Sequence, residues 1–376
     1  MFVAFKEIRR SFGRFSLLTM AVALLVLLLL FFQAVAGTLT SGLTGGLESS
    51  SADVFVYDVQ ARSNPATSIL SPKVEAEVAA APDVAATSPI GLSVFTGTVE
   101  GSSSADAEID VQLVGGDPSG PSVPANIADG RLPSAQGEAL FSGSSFDSPV
   151  EIDQRVKVEG VSFKVVGTAD DAAFNVLPTL YVPYEDYVAA SQARASRPVD
   201  VAPSLIGVKV AKGADPAKVA RSLTKSIDGI EALDRSEAVA ALPGVGQITQ
   251  SFSILYLLLY IVVALVTGVF FLILTVQKED ALVLLRAVGA SSRDVIASVL
   301  IQVLVVVGLG ALIGSAVTAG LLALTRDVFG AGLQLSTAAL TVGVILVLGL
   351  VASVGAVRRV LAIDPINATT NRGIRT

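Results

Sequence analysis

The chain has 376 residues, 52% of them apolar and 16% charged, with a mean hydropathy of +0.68, which is too hydrophobic for an ordinary soluble protein and indicates a membrane protein. It contains neither cysteine nor histidine, which excludes disulfides, thiolate metal sites, cysteine nucleophiles and any triad that needs an imidazole. Its formal charge of −7 is unevenly spread: residues 48–246 carry 14 Lys/Arg against 27 Asp/Glu, an acidic block that gives no support to a nucleic-acid partner.

In chain order, residues 1–15 mix charges with Phe2, Phe5, Ile8, Phe12 and Phe15, the pattern of an amphipathic entry helix lying along a membrane face. Residues 16–38 read as the first transmembrane helix, since no charge interrupts the run and about 20 apolar residues span a bilayer. Ala34-Val35-Ala36 also fits an A-x-A cleavage site, which leaves a cleaved signal peptide open as an alternative. Residues 39–246 read as one extracytoplasmic mixed α+β domain with membrane-proximal linkers. Gly42 and Gly46 form a G-x-x-x-G pair at its start.

Within the domain, Val54, Val56 and Val59 interleave with Phe55 and Tyr57 as a first strand, and Lys73–Ala80 is a short helix. VKVEGVSFKVVG is a hairpin turning at Glu159-Gly160, and Gly115 to Pro121 is a loop. Asp215-Pro216 caps a helix running to about Ile227. Residues 247–276, 295–325 and 335–357 supply three further transmembrane helices, the third of the four carrying Gly310 with Gly314 and Ala316 with Gly320 at close-packing spacing, within a subunit or across a dimer. The basic residues nearest these runs are Lys6, Arg9, Arg10 and Arg14, then Lys278, Arg286 and Arg293, then Arg358, Arg359, Arg372 and Arg375. By the positive-inside rule, both termini, the segment 277–294 and the tail 358–376 are cytoplasmic.

The segment 277–294 is built to dock. Ala281, Leu282, Leu284, Leu285 and Val288 share one helical face, flanked by Lys278, Glu279, Asp280 and Arg286, and Gly289 follows in L-R-A-V-G-A-S. This T-V-Q-K plus L-R-A-V-G-A-S arrangement resembles the coupling helix of the four-helix ABC permeases of the FtsX/MacB superfamily. Gln277 and Lys278 stand where most members have E-R, and in this they are closer to the haem-exporter branch, the HrtB-type permeases. Gly130-Arg131-Leu132-Pro133 with Gly137-Glu138, Pro178 to Pro183, and the ending AVRRVLAIDPINATT resemble the same family.

The resemblance implies a homodimeric permease of the cell membrane, embedded in the lipid bilayer and served by two copies of a separate ATPase. Lys278, Leu282, Leu285, Arg286 and Gly289 would be the coupling residues. No G-x-x-x-x-G-K-[ST] occurs, so ATP hydrolysis belongs to that partner, and no G-x-S-x-G or H-E-x-x-H suggests an enzyme. No ionisable residue interrupts the apolar centres, which weakens a proton- or ion-coupled mechanism.

The haem-exporter resemblance, carried also by A-D-V-F-V-Y-D and G-V-F-F-x-x-x-T-V-Q-K, implies haem as transported substrate rather than as a resident cofactor. Its contacts would be Phe31, Gln33, Glu48, Tyr256 and Tyr260 near the outer membrane surface, in preference to Met20, which sits deeper, towards the inner half. Tyrosines at that depth also belong to the ordinary aromatic belt. Two other readings stay open: a MacB-like exporter of lipoproteins, peptides or lipophilic drugs, and an FtsX-like regulator of a cell-wall hydrolase that transports nothing.

Overall fold

A computed structural model describes residues 12–100, 108–143, 150–195, 200–277, 292–324 and 335–361. The chain divides into two compact units, one made of the apolar helices and the other centred on residues 36–250.

The membrane unit is drawn from α1 (Phe12–Glu48, to Val35), a helix at Val245–Gln277 (from Ser251), and helices at Ser292–Leu324 and Leu335–Leu361. All four are long and apolar enough to cross a bilayer. Their inner faces meet in one cluster: Val22, Val26 and Leu30 of α1 pack with Val263, Phe271, Val303, Val307 and Ile345. Leu17, Met20, Leu257, Leu265, Leu312 and Val351 stay exposed. Their exposure is what a lipid-facing surface requires, because hydrocarbon solvates leucine while the helical backbone satisfies its own polar groups.

The second unit begins with the end of α1. Residues 39–48, read from their Gly, Ser and Thr content as part of a linker, are helical through Glu48. The hydroxyls of Ser41 and Thr44 donate to the carbonyls of Gly37 and Thr40 at 2.9 Å, so they do not compete for helix-breaking partners. The glycines serve a close approach. Gly42 O accepts from Val176 N at 2.8 Å, Gly46 N donates to Ala173 O at 2.9 Å, and a Cβ on Gly46 would overlap the Phe174 ring. The G-x-x-x-G pair thus faces a loop instead of another helix.

From there the domain runs β1 (Val54–Asp58), α2 (Pro72–Ala79), β2 (Val84–Val99), β3 (Glu108–Gly116), β4 (Asp129–Gly130), β5 (Glu138–Ser142), β6 (Arg155–Val158), β7 (Val161–Thr168), β8 (Thr179–Pro183), α3 (Tyr184–Arg194), β9 (Leu205–Val210), α4 (Pro216–Ser226), β10 (Ile230–Asp234) and α5 (Arg235–Ala241). The three remaining membrane helices are α6 (Val245–Gln277), α7 (Ser292–Leu324) and α8 (Leu335–Leu361).

Two sub-architectures share β2. Its first half joins the antiparallel order β10-β1-β9-β2, which with α2 and α4 makes a βαβ-βαβ split of ferredoxin-like connectivity. Asp215 caps α4 by accepting from Ala217 N at 3.1 Å, and Pro216 occupies its first turn. That places Val219, Ala220 and Leu223 on one buried face against Val54, Val56, Ile206 and Ile230. Burying a valine or leucine contributes about 1.5–3 kcal/mol, so this helix is held by its apolar stripe.

The second half of β2 pairs with β3 and, through Gly97–Val99, with β6. The pairings β3-β8, β8-β5, β5-β7 and β7-β6 then return to β2, closing a six-stranded barrel. Phe95, Val111, Leu113, Val156, Phe163 and Val165 fill it. The predicted hairpin is β6-β7, with Glu159 and Gly160 both at positive φ. Gly115 and Gly116, read as the start of a loop, belong to β3, and the turn begins at Asp117. Pro178 to Pro183, read as a closing strand, yields β8, an interior strand between β3 and β5.

Candidate functional site

Two polar layers bracket the membrane unit. At one end Arg14 donates to the Gln277 side chain, linking the start of α1 to the end of α6. At the other, Thr341 of α8 donates to Gln33 Oε1 at 2.9 Å and Tyr256 of α6 donates to the Phe32 carbonyl of α1 at 3.3 Å. Arg14 and Gln33 are 19 residues apart on one helix, about 28 Å at the helical rise, close to the ~30 Å thickness of a hydrocarbon core. The Gln33 layer therefore lies at the opposite membrane interface from the Arg14 layer.

This layer gathers four of the residues singled out from the sequence. Phe31 meets Phe32 edge-on at 6.2 Å, and Tyr256 stacks against Phe252 at 5.9 Å. Gln33, Tyr256 and Tyr260 are half-buried, and Tyr260 lies against the apolar cluster of the bundle. The arrangement places aromatic side chains and a few hydrogen-bonding groups at one level of the helix bundle. Thr341 was not legible as a member, because a threonine in an apolar run signals nothing until α8 is placed beside α1.

Glu48 is exposed at the last residue of α1, in the extracytoplasmic unit. Met20 is 71% exposed, on the face that meets lipid. The coupling residues Lys278, Leu282, Leu285, Arg286 and Gly289 lie outside the described residues. Among the described residues no group of His, Cys, Asp and Glu could hold a metal ion.

The inner scaffold explains how these side chains are fixed. A Cβ on Gly310 would lie 2.9 Å from the Thr19 carbonyl, and one on Gly314 would lie 2.5 Å from that of Ala23. The first pair of small residues on α7 therefore seats α1 within the subunit. Ala316 and Gly320 are exposed instead, and nothing lies within 4 Å of a Cβ on Gly320.

Comparison with known families gives the decisive observation. Residues 16–226, more than half the chain, match the MacB-like periplasmic core domain, and residues 253–365 match the FtsX-like permease C-terminal domain. The chain belongs to the FtsX/MacB family of ABC transporter permeases. As such a permease it is a multi-pass membrane protein with an extracytoplasmic domain between its first and second helices, a non-catalytic subunit that works with an ATPase partner.

The permease is 29% identical over 332 residues to an uncharacterized ABC transporter permease of Mycobacterium tuberculosis (strain H37Rv), covering 86% of this chain and 85% of that one. It is 20% identical over 245 residues to a candidate hemin transport system permease, HrtB, of Staphylococcus epidermidis, covering 65% and 66%. Among solved structures, the periplasmic region of MacB from Actinobacillus actinomycetemcomitans aligns with a TM-score of 0.36 at 13% identity, covering 50% of this chain and 92% of that one.

Proposed function

We propose that the permease exports haem from the membrane as a homodimer driven by two copies of its ATPase. Both termini and the segment 277–294 lie on the cytoplasmic side. The observation that carries the haem reading is the interfacial layer of Phe31, Gln33, Tyr256 and Tyr260, where aromatic faces stand beside the Gln33–Thr341 hydrogen bond. The hemin transport name of the staphylococcal relative supports the same cargo. Haem iron takes an axial ligand, and with no His or Cys in the chain a tyrosine or a carboxylate, Tyr256, Tyr260 or Glu48 from two subunits, fills that role. Weak ligation suits a protein that must release what it carries.

Energy enters through the apolar face of 277–294, with Leu282 and Leu285 seated on the ATPase and Lys278, Arg286 and Gly289 framing the contact. Leu285→Asp puts a charge in that face, and the expected outcome is loss of ATPase co-purification. Normal recruitment by this variant would refute the docking assignment.

The cargo is tested by titrating haem into the permease–ATPase complex in nanodiscs while recording visible absorption and ATPase rate. A saturable Soret shift with an altered rate is expected, and it should be lost or weakened in a Tyr256→Phe, Tyr260→Phe, Glu48→Ala triple variant. No saturable spectrum and no change in rate would remove haem and leave the MacB-like cargo classes, lipoproteins, peptides or lipophilic drugs, or an FtsX-like regulatory role.

A further inference from the structure

The extracytoplasmic domain contains a cleft of about 310 Å³, within the lower range of small-molecule sites, which run from about 300 to 1,000 Å³. Its apolar walls are Leu43, Leu92, Phe174 and Leu242. The residues that line it include one charged side chain, Arg194, and no Asp or Glu. That selection is notable because acidic residues outnumber basic ones almost two to one across residues 48–246.

Arg194 is held in place. It donates to the Val94 carbonyl at 2.8 Å and its guanidinium lies 4.2 Å from the centre of the Phe95 ring, while no carboxylate pairs with it among the described residues. A guanidinium has five N–H donors, so most of its capacity remains after the one backbone bond. Across the β2–β3 ladder, Gln112 is the register partner of Val94, and its carboxamide also lines the cleft. Gln112 is 2% exposed, and its Oε1 accepts from Asn175 Nδ2 at 2.8 Å.

The rims carry backbone strain as well. Arg62 and Ser63 lead into Asn64-Pro65-Ala66 at φ of 53° and 59°, and Asn175 and Val176 stand at 55° and 57° on the other side. The left-handed conformation is especially unfavourable for a β-branched residue such as Val176, and such strain concentrates where a loop is shaped for a ligand.

We propose that this cleft binds a small acidic amphiphile, a carboxylate on a short alkyl body. The carboxylate meets Arg194, with the Gln112 amide as a second donor, and the alkyl chain lies against Leu43, Leu92, Phe174 and Leu242. A guanidinium with a neighbouring amide donor is matched to a carboxylate's two oxygens, and the apolar walls account for the body. The site does not depend on haem being the cargo, since all its residues belong to the extracytoplasmic unit.

The chain contains no tryptophan, so Ala66→Trp, on the cleft rim, gives a single reporter in the full-length permease in nanodiscs. Octanoate, octanol and octyltrimethylammonium are titrated against its emission, with Lys212→Trp, at an exposed position of the same domain away from the cleft, reporting non-specific change. A saturable shift with octanoate is expected from the Ala66→Trp reporter, roughly tenfold weaker with octanol and absent with the cation. Adding Arg194→Gln should weaken octanoate about tenfold, the change a single charge-assisted pair produces, and leave octanol unaltered. Gln112→Leu, which keeps the volume and removes the donor, checks the head-group site independently of any packing lost with Arg194. Equal binding of octanoate and octanol, no effect of either variant on octanoate, or the same unsaturable drift at both reporters would overturn the proposal.

Discussion

Thr341 Oγ1 lies 2.9 Å from Gln33 Oε1, a side-chain hydrogen bond that ties the last membrane helix to the first. Thr341 is fully buried, so its hydroxyl cannot turn to water if Gln33 is removed. Thr341→Val and Gln33→Leu should each destabilise the helix bundle, and a double-mutant cycle followed by helical melting in detergent should give a coupling of about 0.6–2 kcal/mol, the range for such bonds between membrane helices. Strict additivity would mean that the bond contributes nothing to stability.

Gly314 and Gly320 have the same residue type on the same helix but different surroundings. A Cβ on Gly314 meets the Ala23 carbonyl and, at 2.8 Å, the Val26 side chain, whereas one on Gly320 meets nothing within 4 Å. Gly314→Leu should push α1 from α7 and cost about 1–3 kcal/mol or more by overpacking, seen as a lowered melting midpoint by circular dichroism. Gly320→Leu should melt like the unaltered chain; a comparable loss there would show that a surface outside this subunit occupies that face.

The ion pair of Arg131 and Glu138 predicts a pH response. Arg131 Nη1 donates to Glu138 Oε2 at 2.7 Å, the second guanidinium nitrogen reaches the other oxygen, and the Ser134 amide donates at 2.9 Å. Hydrogen bonds from Arg131 first and the Ser134 amide second hold the Glu138 carboxyl down at about 2, against an ordinary value of 4.5. A depressed folded-state pKa gives stability that is present above about 4.5 and is lost as pH falls towards about 2. The melting midpoint of the permease should therefore fall between pH 5 and pH 3 by less in Glu138→Gln than in the unaltered chain.

Tyr187 of α3 rests on a notch made by two glycines. Gly91 and Gly115 are register partners across the β2–β3 ladder, and a Cβ on either would overlap the Tyr187 side chain, whose hydroxyl lies 2.9 Å from Ser93 Oγ. Gly115→Ala should lower the melting midpoint through overpacking by about 1–3 kcal/mol, and Tyr187→Ala should cost about 3–5 kcal/mol by opening a cavity. Combined, they should cost less than their sum, because the smaller residue at 187 vacates the space the new methyl needs. Full additivity would contradict the notch.

The sequence by itself determined the features that depend on composition and near neighbours. Runs without charge made the membrane helices, since no chain can hide charged groups in hydrocarbon cheaply. Asp215-Pro216 made a helix start and Glu159-Gly160 a hairpin turn, because a cap oxygen and left-handed backbone act within a few residues. Tertiary structure decided what depends on distant segments. Residues 39–48 are helical because Gly42 and Gly46 lie against a loop more than 120 positions away, near Ala173 and Val176. Gly115 is a strand residue because Tyr187 needs the space above it. The barrel closes because β6 finds β2, a pairing that alternation within either strand does not encode. In the interfacial layer, aromatic and amide residues stood out by type, but the partner that fixes Gln33 is a threonine 308 positions along the chain. A hydroxyl of that kind shows its role only when helix packing brings its partner beside it.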